Sequence, residues 1–127
     1  MTGKRTDPRL PPLFHRHSAM SLLLDPETAR IADANAPTAA FFGHTIAALR
    51  GLPLAALCLE DVQETIRTNL ERARTSDSVT FVIEKMLASG LKSTVKVHAT
   101  ITETDCGPHL FCTLEDITQQ TQDAAAL

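Results

Sequence analysis

A stretch near the C-terminus alternates strictly between apolar and polar residues, and this pattern limits the folds open to the chain. Val95, Val97, Ala99 and Ile101 occupy every second position, with lysine, histidine and threonine between them. Successive side chains of a β-strand point to opposite faces, so the segment predicts a strand with one buried and one solvated face. Such a strand is typical of an antiparallel sheet that is covered on one side.

Two more segments of the C-terminal half alternate in the same way. Residues 79–83 place a bulky apolar side chain at every second position. Residues 110–114 form a last strand, with Leu110, Cys112 and Leu114 as its inward set. Glycine-containing turns separate the three strands, so this half of the chain predicts a three-stranded meander.

The N-terminal half predicts a hairpin followed by helices. Residues 21–24 and 30–34 are two apolar segments around a proline-containing turn. Asn35 then has the position and side chain of a helix N-cap, and the helix at 36–42 ends at Gly43. Two short helical segments precede the longest helix, whose apolar residues recur at helical spacing. These residues are Val62, Ile66, Leu70 and Ala73.

The resulting order is two strands, four helical segments and three strands. It predicts an α+β fold in which a five-stranded antiparallel sheet has helices packed on one face. We divide the chain into a flexible N-terminal arm at residues 1–12, a folded domain at 13–118 and the start of a linker at 119–127. The arm contains three prolines and no periodic pattern, and 127 residues suffice for one domain.

Charge and cysteine content argue against several classes of protein. A net charge of -3 provides no basic footprint for nucleic acid. No apolar run approaches the length of about 20 residues needed to cross a membrane, and prolines interrupt the N-terminus where a signal peptide needs an apolar stretch. Cys58, Cys106 and Cys112 are odd in number and widely spaced, which favours reduced thiols over disulfides or a zinc site. We therefore expect a cytoplasmic protein without direct nucleic-acid or membrane contact. The alternative that the sequence is a piece of a membrane-anchored protein is left open.

Seven segments match the PAS domain family in the family's own order. They are Met20–Thr28, Arg30–Asn35, Phe42–His44, Leu49–Gly51, Leu87–Gly90, Val95–Ala99 and Leu114–Thr118. Together they make the chain resemble a PAS domain from about residue 14 to residue 118. The segments near residues 87 and 95 resemble a subgroup often joined to diguanylate cyclase, phosphodiesterase or histidine kinase domains. The resemblance implies a sensory input module, not an enzyme, that forms homodimers and relays a signal to an output domain.

The same resemblance argues against the coloured cofactors of the family. Haem-binding members usually take a histidine ligand from the long helix, and residues 61–74 contain no histidine. Flavin-binding light sensors carry an Asn-Cys-Arg-Phe-Leu-Gln motif, whereas Cys58 stands in the sequence Leu-Cys-Leu-Glu-Asp. Flavin-redox members commonly place a tryptophan near the ring, and this chain has none. We therefore expect neither haem nor flavin.

A set of inward-facing apolar residues has two interpretations. It forms either a plain core or the lining of a ligand pocket between helices and sheet, where pockets in such folds lie. Aromatic residues make up only 4% of the chain, which leaves room for a cavity without proving one. Because no arginine, lysine or carboxylate falls on the predicted inward faces, we expect any ligand to be an apolar small molecule. The set consists of Ile66, Leu70, Phe81, Val97, Ala99, Leu110, Cys112 and Leu114.

Two further groups of residues have expected roles in signalling. The resemblance assigns signal relay to Asp116, Ile117 and Thr118, where the last strand meets the polar tail. The dimer contact is expected to involve the lead-in helix and the outward side chain of the last strand, because exposed apolar residues favour a partner. The residues of this contact are Leu13, Phe14 and Phe111.

The sequence leaves two alternative functions open. The first is a ligand-free dimerisation scaffold, which a completely filled core would favour. The second is a small α+β enzyme with a binding cone. No acid–base or nucleophile–base pair is placed on facing elements, so we predict no catalytic residue. We also predict no metal site, because His15 and His17 do not share a helix face.

Overall fold

Helices and strands follow the order that the periodicity predicts. The computed structural model describes residues 9–16, 18–58, 63–86 and 92–118. Its helices are α1 (Pro12–Arg16), α2 (Ala36–Phe42), α3 (Ile46–Leu49) and α4 (Gln63–Ser76), with a 3₁₀ turn at Leu54–Leu57. Its strands are β1 (Met20–Leu24), β2 (Ile31–Ala34), β3 (Ser78–Met86), β4 (Lys92–Thr104) and β5 (Gly107–Asp116). The turn predicted at 87–91 and the predicted start of the long helix at 61–62 lie outside the described residues.

The described strands form one antiparallel sheet in the order β2-β1-β5-β4-β3. β5 lies at its centre, because Cys112 pairs with Leu22 of β1 on one side and with Ala99 of β4 on the other. The N-terminal hairpin is thereby joined to the C-terminal meander. This architecture confirms the predicted α+β fold with a five-stranded antiparallel sheet.

One face of the sheet, here called the inner face, is covered by α2, α3 and α4. Ile66 and Leu70 of α4 are buried against it, as their helical spacing predicts. Alternate strand residues share a face, so the apolar positions of each strand meet in one layer. Apolar surface removed from water contributes roughly 25 cal/mol per Å², which makes this layer the main stabilising element. Its strand residues are Leu22, Leu24, Val79, Phe81, Ile83, Val95, Val97, Ala99, Leu110, Cys112 and Leu114.

The opposite, outer face of the sheet carries α1. The ring centroid of Phe14 lies 4.7 Å from that of Phe111, whose side chain points away from the inner layer. Leu10, in the segment predicted as a flexible arm, is buried here, and its backbone N–H donates to Asp33 Oδ2 at 2.7 Å. None of the described helices, α1 included, has the length and apolar character needed to cross a membrane.

Candidate functional site

The eight residues predicted to line a ligand pocket lie together in one buried cluster on the inner face. α4 contributes Ile66 and Leu70, and the other six come from β3, β4 and β5. Ile66 and Leu70 also border a groove of about 480 Å³ between α4 and the turn that joins β1 to β2. This placement is compatible with both interpretations, a filled core and the wall of a ligand site.

Lys85 of β3 also lies on the inner face, which corrects the expectation that no lysine does. The alternation of β3 continues past Ile83 to Lys85, whose side chain is only 8% exposed. Its Nζ lies 5.1 Å from the ring centroid of Phe41 and 5.7 Å from that of Phe42. Aromatic faces attract cations, so the end of α2 accommodates an ammonium group beside the apolar layer. The uninterrupted period of two along β3 is the signal that could have identified this residue.

The thiols of Cys58 and Cys112, near this face, are expected to be unreactive. Burial raises the pKa of the Cys58 thiol to about 11, and the positive charge of Lys85 offsets this only in part. Burial likewise raises the pKa of Cys112 to about 12. Both thiols therefore stay protonated at neutral pH, and neither is a ready nucleophile. Within the described part of the chain, no three His, Cys, Asp or Glu side chains converge as metal ligands.

The predicted relay residues form a hydrogen-bonded group at the end of β5, here called the exit junction (residues 116–118). Thr118 Oγ1 and its backbone N–H both donate to Asp116 Oδ1, at 2.5 and 3.0 Å. The backbone N–H of Thr94 in β4 donates to Thr118 Oγ1 at 2.8 Å, and the Ile117 N–H donates to Thr94 O at 2.9 Å. Ser93 Oγ lies 3.1 Å from Thr118 Oγ1. The start of β4 thus fixes the direction in which the chain leaves the sheet.

The pKa of Asp116 is expected to rise when Thr118 is replaced with valine. Partial burial raises the pKa of Asp116, but hydrogen bonds from Thr118 and Ser93 outweigh it, so the net shift is downward. Because the pKa of Asp116 is lower in the folded protein than in the unfolded chain, its ionised carboxylate stabilises the fold at pH values above the unfolded-state pKa. This stabilisation is lost as the pH falls through the folded-state pKa. Solvent screens the exposed carboxylate, which limits the contribution to less than about 1 kcal/mol.

Carboxyl ¹³C NMR titrations of the wild type and Thr118→Val measure this shift. Thr113→Val, elsewhere on β5, is the matched control and should leave the pKa of Asp116 in place. The pKa of Asp116 should rise only part of the way in Thr118→Val, because the backbone N–H of residue 118 still donates to its carboxylate. An identical pKa in the wild type and in Thr118→Val would contradict the hydrogen bonding of the exit junction.

Asn35 attaches the lead-in helix α1 to the rest of the domain. Its Oδ1 accepts from the Thr38 N–H at 3.3 Å, which confirms the predicted N-cap of α2. Its Nδ2 donates to Phe14 O at 3.0 Å and to Ala19 O at 2.7 Å. One fully buried side chain therefore holds the start of α2 and both ends of the segment that leads into β1.

Asp33 provides a second attachment that the sequence analysis missed. Its buried Oδ1 accepts from Arg50 Nε at 3.2 Å and from Arg50 Nη2 at 3.0 Å. Its Oδ2 accepts from the Leu10 N–H at 2.7 Å and lies 3.4 Å from His15 Nε2. The carboxylate joins the N-terminal segment to the end of α3. His17, the other histidine weighed as a metal ligand, lies outside the described residues.

The predicted dimer-contact residues are divided between a packed pair and the surface. Phe14 and Phe111 pack against each other within one chain, whereas the side chain of Leu13 is 69% exposed. A cleft of about 340 Å³ opens beside the packed pair and is also bordered by Leu23 and Thr102. The outer face therefore presents an exposed apolar side chain next to a partly apolar cleft.

Comparison with known proteins agrees with this geometry. A family model described as the PAS fold matches residues 14–122. The PAS domain of an HTR-like protein from Haloarcula marismortui is similar, with a TM-score of 0.70 and 20% identity, covering 83% of this chain and 91% of that chain. A PAS domain from Colwellia psychrerythraea has a TM-score of 0.70 and 17% identity, covering 84% and 92%. The PAS domain of nitrogen regulation protein NR(II) from Vibrio parahaemolyticus has a TM-score of 0.66 and 15% identity, covering 83% and 94%. No curated protein matches the chain.

Proposed function

Because the chain belongs to the PAS fold family of sensory signalling modules, we propose that it forms homodimers and relays a signal to an output domain. The output domain is a diguanylate cyclase, phosphodiesterase or histidine kinase domain, either covalently linked or separate. The signal is a largely apolar small molecule held between the helices and the inner face, without haem or flavin. PAS domains are generally non-catalytic, and the proposed role includes no enzymatic step.

The exit junction is the observation that carries the relay proposal. Asp116 and Thr118 are bonded to each other and to the first residues of β4, so the exit direction depends on the position of that strand. The inner side of β4 carries Val97 and Ala99 of the proposed ligand face. A ligand that displaces β4 would therefore also displace the residues that lead into the output domain.

The outer face supports the proposed homodimer. Leu13 is exposed on α1, and the cleft beside Phe14 and Phe111 is open. An exposed apolar side chain next to an apolar cleft is favourable to cover, and a second copy offers the same pair of features in return. We propose that α1 of each copy covers the outer face of the other.

A ligand-free dimerisation scaffold is the second candidate. The observation that favours it is the burial of all eight predicted pocket residues in one continuous cluster. A scaffold of this kind would bind neither octanol nor octanoate, whereas a sensor with an inner-face site would bind at least one of them. Binding of these two probes to the purified protein therefore separates the two candidates.

The proposed compartment is the cytoplasm. Cys58 and Cys112 are thiols in the structure and form no disulfide. Reducing compartments keep cysteines in this form, whereas oxidising compartments favour disulfides. The thiol state is the structural observation on which this part of the proposal depends.

Replacing Asp116 with alanine is expected to uncouple the output domain without unfolding the module. The substitution removes the acceptor of both Thr118 donors, so the exit junction loses its fixed geometry. The side chain is exposed and adds little stability, so we expect a loss below about 1 kcal/mol. Output activity in a reporter strain and urea unfolding of the purified protein measure the two effects.

The matched control is Glu115→Ala, an exposed carboxylate one position earlier on β5. It should leave both output and stability close to the wild type. Signal-dependent output that persists at the wild-type level in Asp116→Ala would contradict the relay proposal. A large loss of stability in Asp116→Ala would show instead that the junction is a structural element.

A further inference from the structure

The two edges of the sheet differ in how their backbone groups are satisfied. β2 forms one edge and bonds to the segment that follows α3: the Ile31 N–H donates to Leu52 O at 2.7 Å, and the Gly51 N–H donates to Ile31 O at 2.7 Å. β3 forms the other edge and, among the described strands, pairs only with β4. No segment of the described chain bonds along its second side. β3 therefore offers an edge at which the sheet can be extended.

The register of β3 and β4 shows which backbone groups point away from the sheet. In an antiparallel pair, opposite residues alternate between those that exchange two hydrogen bonds and those that exchange none. The Ile101 N–H donates to Asp77 O at 2.9 Å, one pair before the start of β3, and the ladder then continues without a shift. The odd-numbered residues of β3 therefore bond to β4. The N–H and C=O groups of Thr80, Val82 and Glu84 point to the open side.

The composition of β3 favours pairing with another strand. Its 9 residues include neither proline nor glycine, its register with β4 has no bulge, and most of its residues are β-branched or aromatic. Natural proteins usually shorten or interrupt such an edge, or place charges on it. The inward charge of β3, Lys85, lies near the end of the strand with its Nζ over Phe41 and Phe42. The middle of the edge, at residues 80–83, carries no charge.

The symmetry of the strand indicates that its occupant is a second copy of the chain. Val82 is the middle residue of β3, and its side chain is 46% exposed. A two-fold axis through Val82 pairs the whole strand with its copy, so that Val82 lies opposite itself and Thr80 lies opposite Glu84. Each exposed valine is then covered by an apolar neighbour. The two Glu84 carboxylates lie about 13 Å apart along the strands, beyond the Debye length, so like charges do not face each other.

We propose that β3 pairs antiparallel with β3 of a second copy, so that two five-stranded sheets become one continuous sheet. The backbone groups of Thr80, Val82 and Glu84 supply the new ladder. This contact goes beyond the proposed function and is separate from the proposed contact through α1 and the outer face. Pairing of one strand is small beside a standard interface of about 1,600 Å², so we expect it to be weak and to depend on protein concentration. A copy that uses both contacts joins two neighbours, which extends the assembly beyond a dimer.

Disulfide cross-linking of the protein in a Cys106→Ser background tests the register. Opposite residues that exchange two hydrogen bonds have Cα atoms about 5.5 Å apart, within the range of about 4.4–6.8 Å that a disulfide spans. Under mild oxidation, Val82→Cys should form a covalent dimer roughly tenfold faster than Thr80→Cys, because pairing raises the effective concentration of the facing thiol. A mixture of Thr80→Cys and Glu84→Cys should form a mixed dimer at the fast rate. Neither of these two variants should do so alone, since each residue lies opposite the other.

Sedimentation velocity provides a second measurement that needs no added thiol. Leu13→Glu places a charge in the proposed α1 contact and should leave the association through β3 in place. Adding Val82→Lys to that variant sets two ammonium groups opposite each other and should weaken the remaining association roughly tenfold or more. Urea unfolding should show that Val82→Lys folds as the wild type does, because the side chain lies on the exposed side of the strand.

Two results would overturn the proposal. The first is an equal rate of oxidation for Val82→Cys and Thr80→Cys, because random collision does not distinguish the two exposed positions. An edge occupied by an extended segment of another protein would give this result. The second is self-association of Leu13→Glu that Val82→Lys leaves unchanged. Leu13→Glu and Asp116→Ala test the α1 contact and the relay without involving β3, so failure of the edge contact and failure of the proposed function can be distinguished.

Discussion

Replacing Asn35 with alanine is expected to lower the free energy of unfolding by about 3 kcal/mol, because one buried side chain serves two elements. Its Oδ1 caps α2 on the Thr38 N–H, and its Nδ2 donates to the carbonyls of Phe14 and Ala19. Loss of an N-cap costs about 1 kcal/mol, and a buried acceptor left without a donor costs about 1–3 kcal/mol. The variant should therefore both weaken the start of α2 and release α1.

Urea unfolding measures this loss of stability. Two further variants separate the contribution of the α2 cap from that of the α1 attachment. Asn35→Asp keeps the acceptor that caps α2 but has no N–H to donate, so it should release α1 while α2 stays capped. Thr45→Ala removes an exposed cap on the Ala48 N–H at 3.0 Å and should cost about 1 kcal/mol or less. If Asn35→Ala destabilised the domain no more than Thr45→Ala does, the attachment of α1 through Asn35 would be energetically unimportant.

The second large loss, also about 3 kcal/mol, is expected for Arg50→Met. The side chain of Asp33 is 0% exposed, and the Arg50 guanidinium contacts its Oδ1 through two nitrogen atoms. Arg50 itself is 34% exposed, but its removal takes the main partner from the buried Asp33 carboxylate, and breaking a buried ion pair typically costs about 3–5 kcal/mol. The Leu10 N–H still donates to Asp33 in the variant, which places the expected value at the lower end.

Arg30→Met is the matched control for this substitution. Arg30 donates one hydrogen bond to Gly51 O at 2.7 Å and lies exposed, so its loss should cost less than about 1 kcal/mol. Urea unfolding at neutral pH compares the two variants. Similar small losses in both would mean that the remaining donors satisfy Asp33 without Arg50.

The sequence predicted local features of the fold better than the long-range roles of single side chains. Asn35 was identified as an N-cap because the signal for a cap lies within four residues. Its bonds to Phe14 and Ala19 depend on where β1 lies in the folded chain, and no local pattern encodes them. The pairing of Asp33 with Arg50 was missed for the same reason, since 17 residues separate them.

Lys85 illustrates a different limit of sequence reasoning. The alternation of β3 places it inward, but the apolar pattern that predicted the strand ends at residue 83, so Lys85 was assigned to neither face; a lysine is rarely fully buried unless it is paired. The candidate pocket residues of β3, β4 and β5 were identified because apolar residue type and alternation agree there. Where the two signals disagree, as at Lys85, the structure follows the alternation.

The central position of β5 also governs when the domain can form during translation. Met20 near the start of the chain pairs with Leu114 near its end, so the first hairpin gains its neighbour in the sheet only after β5 leaves the ribosome. Pairing across such a distance requires closure of a long loop before its contacts contribute. The nascent domain therefore carries an open β-sheet edge at β1 until β5 emerges and pairs with it.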